Sequence, residues 1–95
     1  MKIFSMKRGT GKTTLLIIIS HFTNARIITA TKTSAKYVQN LANKMNFSIT
    51  KPMSWYEYYE CKDIKGEKIL IDELDNILYN IFGSLVLAAT LTEED

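Results

Sequence analysis

The chain has 95 residues, the length of one small domain (residues 1 to 95), and its 46% of hydrophobic residues can bury a modest core. The chain has one cysteine, Cys61, so it cannot form an internal disulfide, and with one histidine, His21, it has no zinc-ligand spacing. Cys61 and His21 are therefore expected to be packing or surface residues. The net charge is only +2, and no apolar run suffices for a secretory signal or a membrane span, which predicts a cytoplasmic protein without membrane contact.

Charge is unevenly divided along the chain. Residues 1 to 51 carry nine lysines and arginines and no acid, whereas residues 52 to 95 carry three lysines and all ten acids. This asymmetry is typical of proteins that bind nucleic acid or polyphosphate. The alternative, which we favour, is that alternating helices and strands interleave the two halves and mix the charges in space.

Apolar runs alternate with helical patterns along the whole chain. Five runs have the composition of strands: residues 2–5, 26–30, 47–50 (a short edge strand stopped by Pro52), 68–71 and 85–89. Four segments have the signals of helices: residues 11–22 (with Asn24 suited to end the helix), a segment capped by Thr31 or Thr33, a Ser54–Glu57 capping box running to about Cys61, and residues 75–82. This order predicts an α/β domain with a central parallel sheet.

The junction between the first strand and the first helix has the composition of a phosphate-binding loop. Residues 6 to 14 read Met-Lys-Arg-Gly-Thr-Gly-Lys-Thr-Thr, with Met6 where the usual pattern has its first glycine. Glycines allow successive N–H groups to turn toward an anion, and the helix adds its own free N–H groups. The predicted phosphate-binding residues are Arg8, Gly9, Thr10, Gly11, Lys12, Thr13 and Thr14. The alternative is a turn followed by a helix cap at Thr10.

A second motif stands at the end of a predicted strand. Lys68 is followed by three apolar residues and then by two adjacent acids, Asp72 and Glu73. The carboxyl end of a parallel strand is where open α/β sheets bind ligands. Asp72 there can hold a magnesium ion through water, and Glu73 can orient or deprotonate an attacking water. The alternative is an acidic helix N-terminus suited to the helix dipole.

Two further groups of residues carry open alternatives. The aromatic group around Trp55 either stacks on a base or forms the packing face of a short helix; its other members are Tyr56, Tyr58 and Tyr59. Six residues at or after the ends of predicted strands are candidates to contact a nucleic-acid backbone: Thr29, Thr31, Lys32, Lys36, Thr50 and Lys51. The alternative is that the lysines among them serve only solubility.

Together the motifs resemble a P-loop NTPase of the additional-strand, catalytic-glutamate division. The chain is similar to the first RecA-like domain of helicases and terminase ATPases, in the compact form of small phage proteins. Residues 9 to 14 resemble Walker A and residues 69 to 73 resemble Walker B. Residues 87 to 92 resemble the segment that couples hydrolysis to motion. Residues 28 to 32 and residues 49 to 52 resemble segments that helicases place against nucleic acid. We expect no second RecA-like domain.

The resemblance implies a fold, a cofactor set and residue roles. It implies a three-layer core with strand order 2–5, 85–89, 68–71, 26–30 and an edge at 47–50. It implies binding of ATP with Mg²⁺, where Lys12 reaches the phosphates and Thr13 and Asp72 serve the metal. It also implies Glu73 as the base that activates water, Arg8 as a cis arginine and Thr90 as the γ-phosphate sensor.

Several functions fit this resemblance. The leading one is a Mg²⁺-dependent ATPase in phage or plasmid DNA metabolism, with DNA or RNA as partner. A homo-oligomer or another protein would complete the site, since the strand at residues 2–5 leaves an exposed sheet edge. The first alternative is a weakly catalytic nucleotide-binding adaptor that regulates a partner. A nucleotide kinase is the second, although Arg8 and Arg26 are too few arginines for a lid.

Overall fold

The computed structural model describes residues 3, 11–61, 66–84 and 86–90. Within them, four helices alternate with three strands in an α/β arrangement. In chain order the elements are α1 (Lys12–Thr23), β1 (Arg26–Thr29), α2 (Lys32–Lys44), β2 (Met53–Ser54), α3 (Trp55–Glu60), β3 (Ile69–Ile71) and α4 (Leu74–Phe82).

The three strands form a parallel sheet with the order β2-β1-β3. Ile28 of β1 is in register with Met53 on one side and with Ile71 on the other. The predicted neighbourhood of residues 26–30 and 68–71 is therefore confirmed. Because all three strands run in the same direction, the segments that follow them meet at one edge of the sheet, which we call the carboxyl edge.

One face of the sheet is covered by α1 and α2, and the hydrophobic core lies there. Ile17, Ile27, Val38 and Ala42 are almost completely buried and form this core together with Leu16. Ile27 and Leu70 are register partners and both pack on this side. Their neighbours Ile69 and Ile71 point to the other face, where each is 38% exposed. The continuous apolar run of β3 is thus covered more completely on one face than on the other.

The helix ends follow the sequence signals closely. Asn24 ends α1 in the left-handed conformation at φ 60°, and the Thr31 side chain caps α2 by accepting from the Ser34 N–H. The predicted capping box of α3 is complete, because Ser54 and Glu57 each accept from the other's backbone N–H. These caps place the first turn of α2 and of α3 at the carboxyl edge.

The predicted strand at residues 47–50 is wrong, and the edge strand forms at Met53–Ser54 instead. Residues 47–50 are engaged in other contacts that connect α2 to the sheet. The Phe47 N–H donates to the Ala42 carbonyl at 3.0 Å, and the Phe47 ring stacks on the His21 ring with 4.9 Å between the ring centroids. The Thr50 hydroxyl donates to the Asn24 carbonyl. Pairing with β1 therefore begins only after Pro52.

The predicted strand at residues 85–89 is also wrong for its described part. Residues 86–90 belong to no strand, and Leu87 is 90% exposed. Ala88 and Ala89 have low strand propensity and little apolar surface to bury, so the segment gains little from pairing. Of the predicted strand at residues 2–5, only Ile3 is described; it is exposed and lies outside any strand.

No described helix combines the length and the hydropathy needed to cross a membrane.

Candidate active site

The first half of the candidate site is the start of α1. Gly11 precedes the helix with φ 82°, a left-handed conformation that glycine adopts at little cost. Lys12, Thr13 and Thr14 then form the first turn, whose free N–H groups point toward the carboxyl edge. Three predicted phosphate-binding residues lie outside the described residues, namely Arg8, Gly9 and Thr10.

The second half is the turn that joins β3 to α4. The Asp72 N–H donates to the Ile28 carbonyl at 2.9 Å, which extends the pairing with β1 by one residue. The Asp72 side chain is only 8% exposed. Glu73 follows at φ 59° and ψ 57°, a left-handed conformation that is costly for a residue with a side chain. The chain therefore holds both acids at the carboxyl edge, and the backbone of Glu73 is strained there.

The two halves are in direct contact. The Thr13 hydroxyl donates to Asp72 Oδ2 at 3.0 Å, across 59 residues of sequence. Beside it, Lys12 Nζ lies 3.4 Å from Glu73 Oε1, and both side chains are partly exposed. The structure thus brings together Lys12, Thr13, Asp72 and Glu73, which the sequence placed in two separate motifs.

The protonation of Asp72 reflects its burial. Loss of solvent raises the pKa of its carboxyl group above the ordinary value, and the neighbouring Glu73 carboxylate acts in the same direction. The hydrogen bond from Thr13 and the charge of Lys12 oppose this effect. A cation at this point would favour the ionised form, because an opposite charge stabilises a buried carboxylate.

A cavity of about 170 Å³ opens next to Asp72. Its walls come from α1, the end of β1, α2 and the start of α4, and they are formed by Thr13, Thr29, Ala30, Ser34, Tyr37, Val38, Asp72, Glu73 and Asn76. Ser34, Tyr37 and Asn76 were not predicted from the sequence. A signal for them was available, because each stands in an early turn of a helix that follows a strand at the carboxyl edge.

Thr90 and three threonines proposed to contact nucleic acid have surroundings that do not match those roles. Thr90 is exposed, belongs to no strand and does not line the cavity, so the structure does not place it as a sensor beside β3. The hydroxyls of the three threonines that were predicted near strand ends all donate inside the protein: Thr29 to the Thr31 carbonyl, Thr31 to the Ser34 hydroxyl and Thr50 to the Asn24 carbonyl. They act in local structure.

The unequal charges of the two halves of the chain meet in space. Lys12 pairs with Glu73, and Arg26 forms an ion pair with Glu67. Lys32 and Lys51 lie close enough to Glu57 to reinforce the lowering of its pKa, which arises mainly from the Ser54 backbone hydrogen bond. Basic residues of the first half of the chain thus lie near acids of the second half. This is the mixing of charges that the alternation of helices and strands predicted.

His21 has the packing role expected of it. Its ring stacks on Phe47, and Nδ1 lies 2.8 Å from the Ser48 carbonyl oxygen, to which it donates. His21 therefore joins the end of α1 to the segment after α2, away from the candidate site.

Within the described ranges, no three His, Cys, Asp or Glu side chains are grouped so as to hold a metal ion. A magnesium ion bound with phosphates needs only one or two protein oxygens, since phosphates and waters supply the rest. The Thr13 hydroxyl and the Asp72 carboxylate are hard oxygen donors of that type, and they lie in hydrogen-bond contact.

Comparison of the chain with protein-family models, with curated proteins and with solved structures finds no match in any of the three. The chemistry of the site is therefore inferred from its own residues.

Proposed function

We propose that the protein binds ATP with Mg²⁺ at the carboxyl edge and hydrolyses it, as a P-loop ATPase of the additional-strand, catalytic-glutamate division with a three-layer core. The observation that supports this most is the hydrogen bond from Thr13 to Asp72 beside the pair of Lys12 and Glu73. A lysine and a hydroxyl at a helix start, facing two acids at a strand end, form the set that phosphoryl transfer requires.

The site fits the proposed ligands in charge and in donor type. The first turn of α1 offers free N–H groups and the positive end of its dipole to an anion. The Thr13 and Asp72 oxygens suit Mg²⁺, which, when bound, would neutralise charge on the β- and γ-phosphates. The adjoining cavity of about 170 Å³ offers room for a phosphate group next to Asp72.

Lys12 and Glu73 have complementary tasks in this proposal. Without nucleotide, the Lys12 ammonium group contacts the Glu73 carboxylate at 3.4 Å. When Lys12 turns to the phosphates, the Glu73 carboxylate loses that partner and is free to accept a proton from water. Hydrolysis is thereby linked to occupation of the phosphate site. Arg8 remains the candidate for an arginine that stabilises the transferring phosphate.

The biological role we propose is in phage or plasmid DNA metabolism, in the cytoplasm of the host. A helicase-like or packaging-like core needs a nucleic-acid partner, and exposed lysines on α2 stand at the same edge as the nucleotide site. A second copy of the chain or another protein would complete the nucleotide site.

One observation favours a second candidate, a nucleotide-binding adaptor with little hydrolysis. Glu73 is held twice, by the contact with Lys12 and by its left-handed backbone. If that arrangement persists when nucleotide binds, Glu73 cannot reach an attacking water. The protein would then bind ATP and signal the bound state to a partner.

Phosphate release from Mg²⁺-ATP, measured with and without DNA, separates the two candidates. The ATPase proposal predicts slow turnover by the parent and a loss of about 100-fold or more in Glu73→Gln, the range typical of a general base. Glu60→Gln, the same change on α3, controls for the lost charge. Nucleotide binding without hydrolysis would favour the adaptor, and equal rates in parent and Glu73→Gln would remove Glu73 from catalysis.

A further inference from the structure

The short helix α3 carries an unusually exposed set of aromatic rings. Four of its six residues are aromatic, and none of the six is buried. Tyr56 is 56% exposed and Tyr59 is 73% exposed, while Trp55 and Tyr58 are half-buried. Of the two alternatives for this group, a packing face does not fit Tyr56 and Tyr59, because both side chains are exposed. Adjacent exposed aromatic side chains on a small protein indicate a contact surface.

The position of α3 brings these rings to the edge that carries the candidate site. Ser54, which caps α3, is in register with Thr29 of β1. Since β1 and β2 are parallel, α3 and α2 both begin at the carboxyl edge, where Asp72 follows β3. Lys32 is the first residue of α2, and Lys36 lies one turn further along the same helix.

The charge of this surface suits a polyanion. Lys32 and Lys36 are exposed, and neither forms a direct ion pair in the described part of the chain. Both acids of α3 have partners of their own. Glu57 accepts from the Ser54 N–H at 3.1 Å, and the Glu60 carboxylate is near enough to the Tyr56 hydroxyl to raise the pKa of Tyr56.

We infer that Tyr56 and Tyr59, with Lys32 and Lys36, form a binding surface for single-stranded nucleic acid. Bases would stack on the two rings while the lysines contact phosphates, the combination by which proteins bind single strands without sequence preference. A protein partner fits less well, because lysine is depleted in protein–protein interfaces. The inference deepens the proposed role in DNA metabolism, but it uses no residue of the nucleotide site.

The test is fluorescence anisotropy with labelled oligothymidylate of about 12 nucleotides, within the site size of such surfaces. Each stacked ring is expected to contribute about fivefold or more in affinity, so Tyr56→Ala/Tyr59→Ala should bind at least about 25-fold more weakly. Tyr56→Phe/Tyr59→Phe keeps the rings and should bind like the parent. Tyr79→Ala removes a tyrosine of similar exposure, 54%, from α4 and is the matched control.

Two further readouts complete the test. Trp55 is the only tryptophan and its ring lies 5.6 Å from that of Tyr56, so its fluorescence should change when a strand binds. Affinity should fall steeply with salt, and a duplex of the same length should bind more weakly because its bases are paired. Lys12→Ala should bind the oligonucleotide normally even if it binds no ATP, which separates this inference from the proposed function. Absence of binding at low salt, or equal losses in the alanine pair and in Tyr79→Ala, would overturn the inference.

Discussion

At the scale of single residues, the site combines polar burial with backbone strain. Asp72 is almost completely buried beside another acid, and Glu73 has a conformation that favours glycine. Neither arrangement benefits the folded state by itself, since burial disfavours a carboxylate and left-handed geometry costs energy. Residues that reduce stability in this way are expected where function needs them.

Replacing Glu73 with glycine should therefore stabilise the protein. Glycine removes the left-handed penalty but loses more entropy on folding, and we expect the free energy of unfolding to rise by about 0.5 to 1 kcal/mol. The lost pair with Lys12 is partly exposed and contributes little. Urea denaturation of Glu73→Gly and Glu73→Gln measures the effect. Equal stability in the two variants would contradict the attribution to backbone strain.

The pKa of Asp72 predicts a pH trend. A raised carboxyl pKa means that the folded state binds the proton more tightly than the unfolded chain does. Its contribution is fully present below the ordinary value of 3.8 and is lost as the pH rises through the raised pKa. Asp72→Asn keeps an acceptor for Thr13 and cannot titrate, so without nucleotide its stability relative to the parent should increase over this window.

Denaturation at several pH values checks that trend. Asp75→Asn, an exposed aspartate in the first turn of α4, controls for the loss of one charge. A constant difference between parent and Asp72→Asn across the window would contradict the assignment of burial as the main cause.

At the scale of elements, α1 links the core to the site. Its first turn carries Lys12 and Thr13, and one turn later Leu16 and Ile17 pack under the sheet. The Thr13 hydroxyl therefore reaches Asp72 from a helix whose position is set by apolar contacts with β1 and α2. Side chains on an anchored helix are held more accurately than side chains on a loop.

Truncation of the α1 anchor should show this dependence. Ile17 is fully buried and Ile18 is 37% exposed, so the two neighbours form a matched pair. Ile17→Ala is expected to lower the free energy of unfolding by about 2 to 5 kcal/mol, and Ile18→Ala by much less. Thermal or urea denaturation compares them. Similar losses in both variants would contradict the observed orientation of α1.

At the scale of the whole molecule, the local signals in the sequence were strong enough to predict the helices, whereas the pairing of β1 with β3 was implied by the family resemblance. Thr31, Asn24 and the Ser54–Glu57 box marked helix ends because their side chains or conformations satisfy backbone groups directly. The resemblance assigned Thr13 and Asp72 to the same metal ion, and the two side chains are in hydrogen-bond contact.

The remaining features depended on tertiary contacts that periodicity does not encode. Residues 47–50 are apolar enough for a strand, yet contacts with His21, Ala42 and Asn24 occupy them. Residues 87–89 are apolar but remain exposed. The cavity wall formed by Ser34, Tyr37 and Asn76 required the packing of α2 and α4 around the sheet edge.

The central claim is that the carboxyl edge binds Mg²⁺-ATP through Lys12. Isothermal titration calorimetry of the parent, Lys12→Ala and Lys44→Ala tests it most directly. Lys44 is an exposed lysine in the last turn of α2, two turns beyond the cavity wall, so its removal matches the change in charge. We predict Mg²⁺-dependent binding to the parent and to Lys44→Ala, and a loss of tenfold or more in Lys12→Ala, about 1.4 kcal/mol. Equal affinity in all three proteins, or no binding to the parent, would contradict the account.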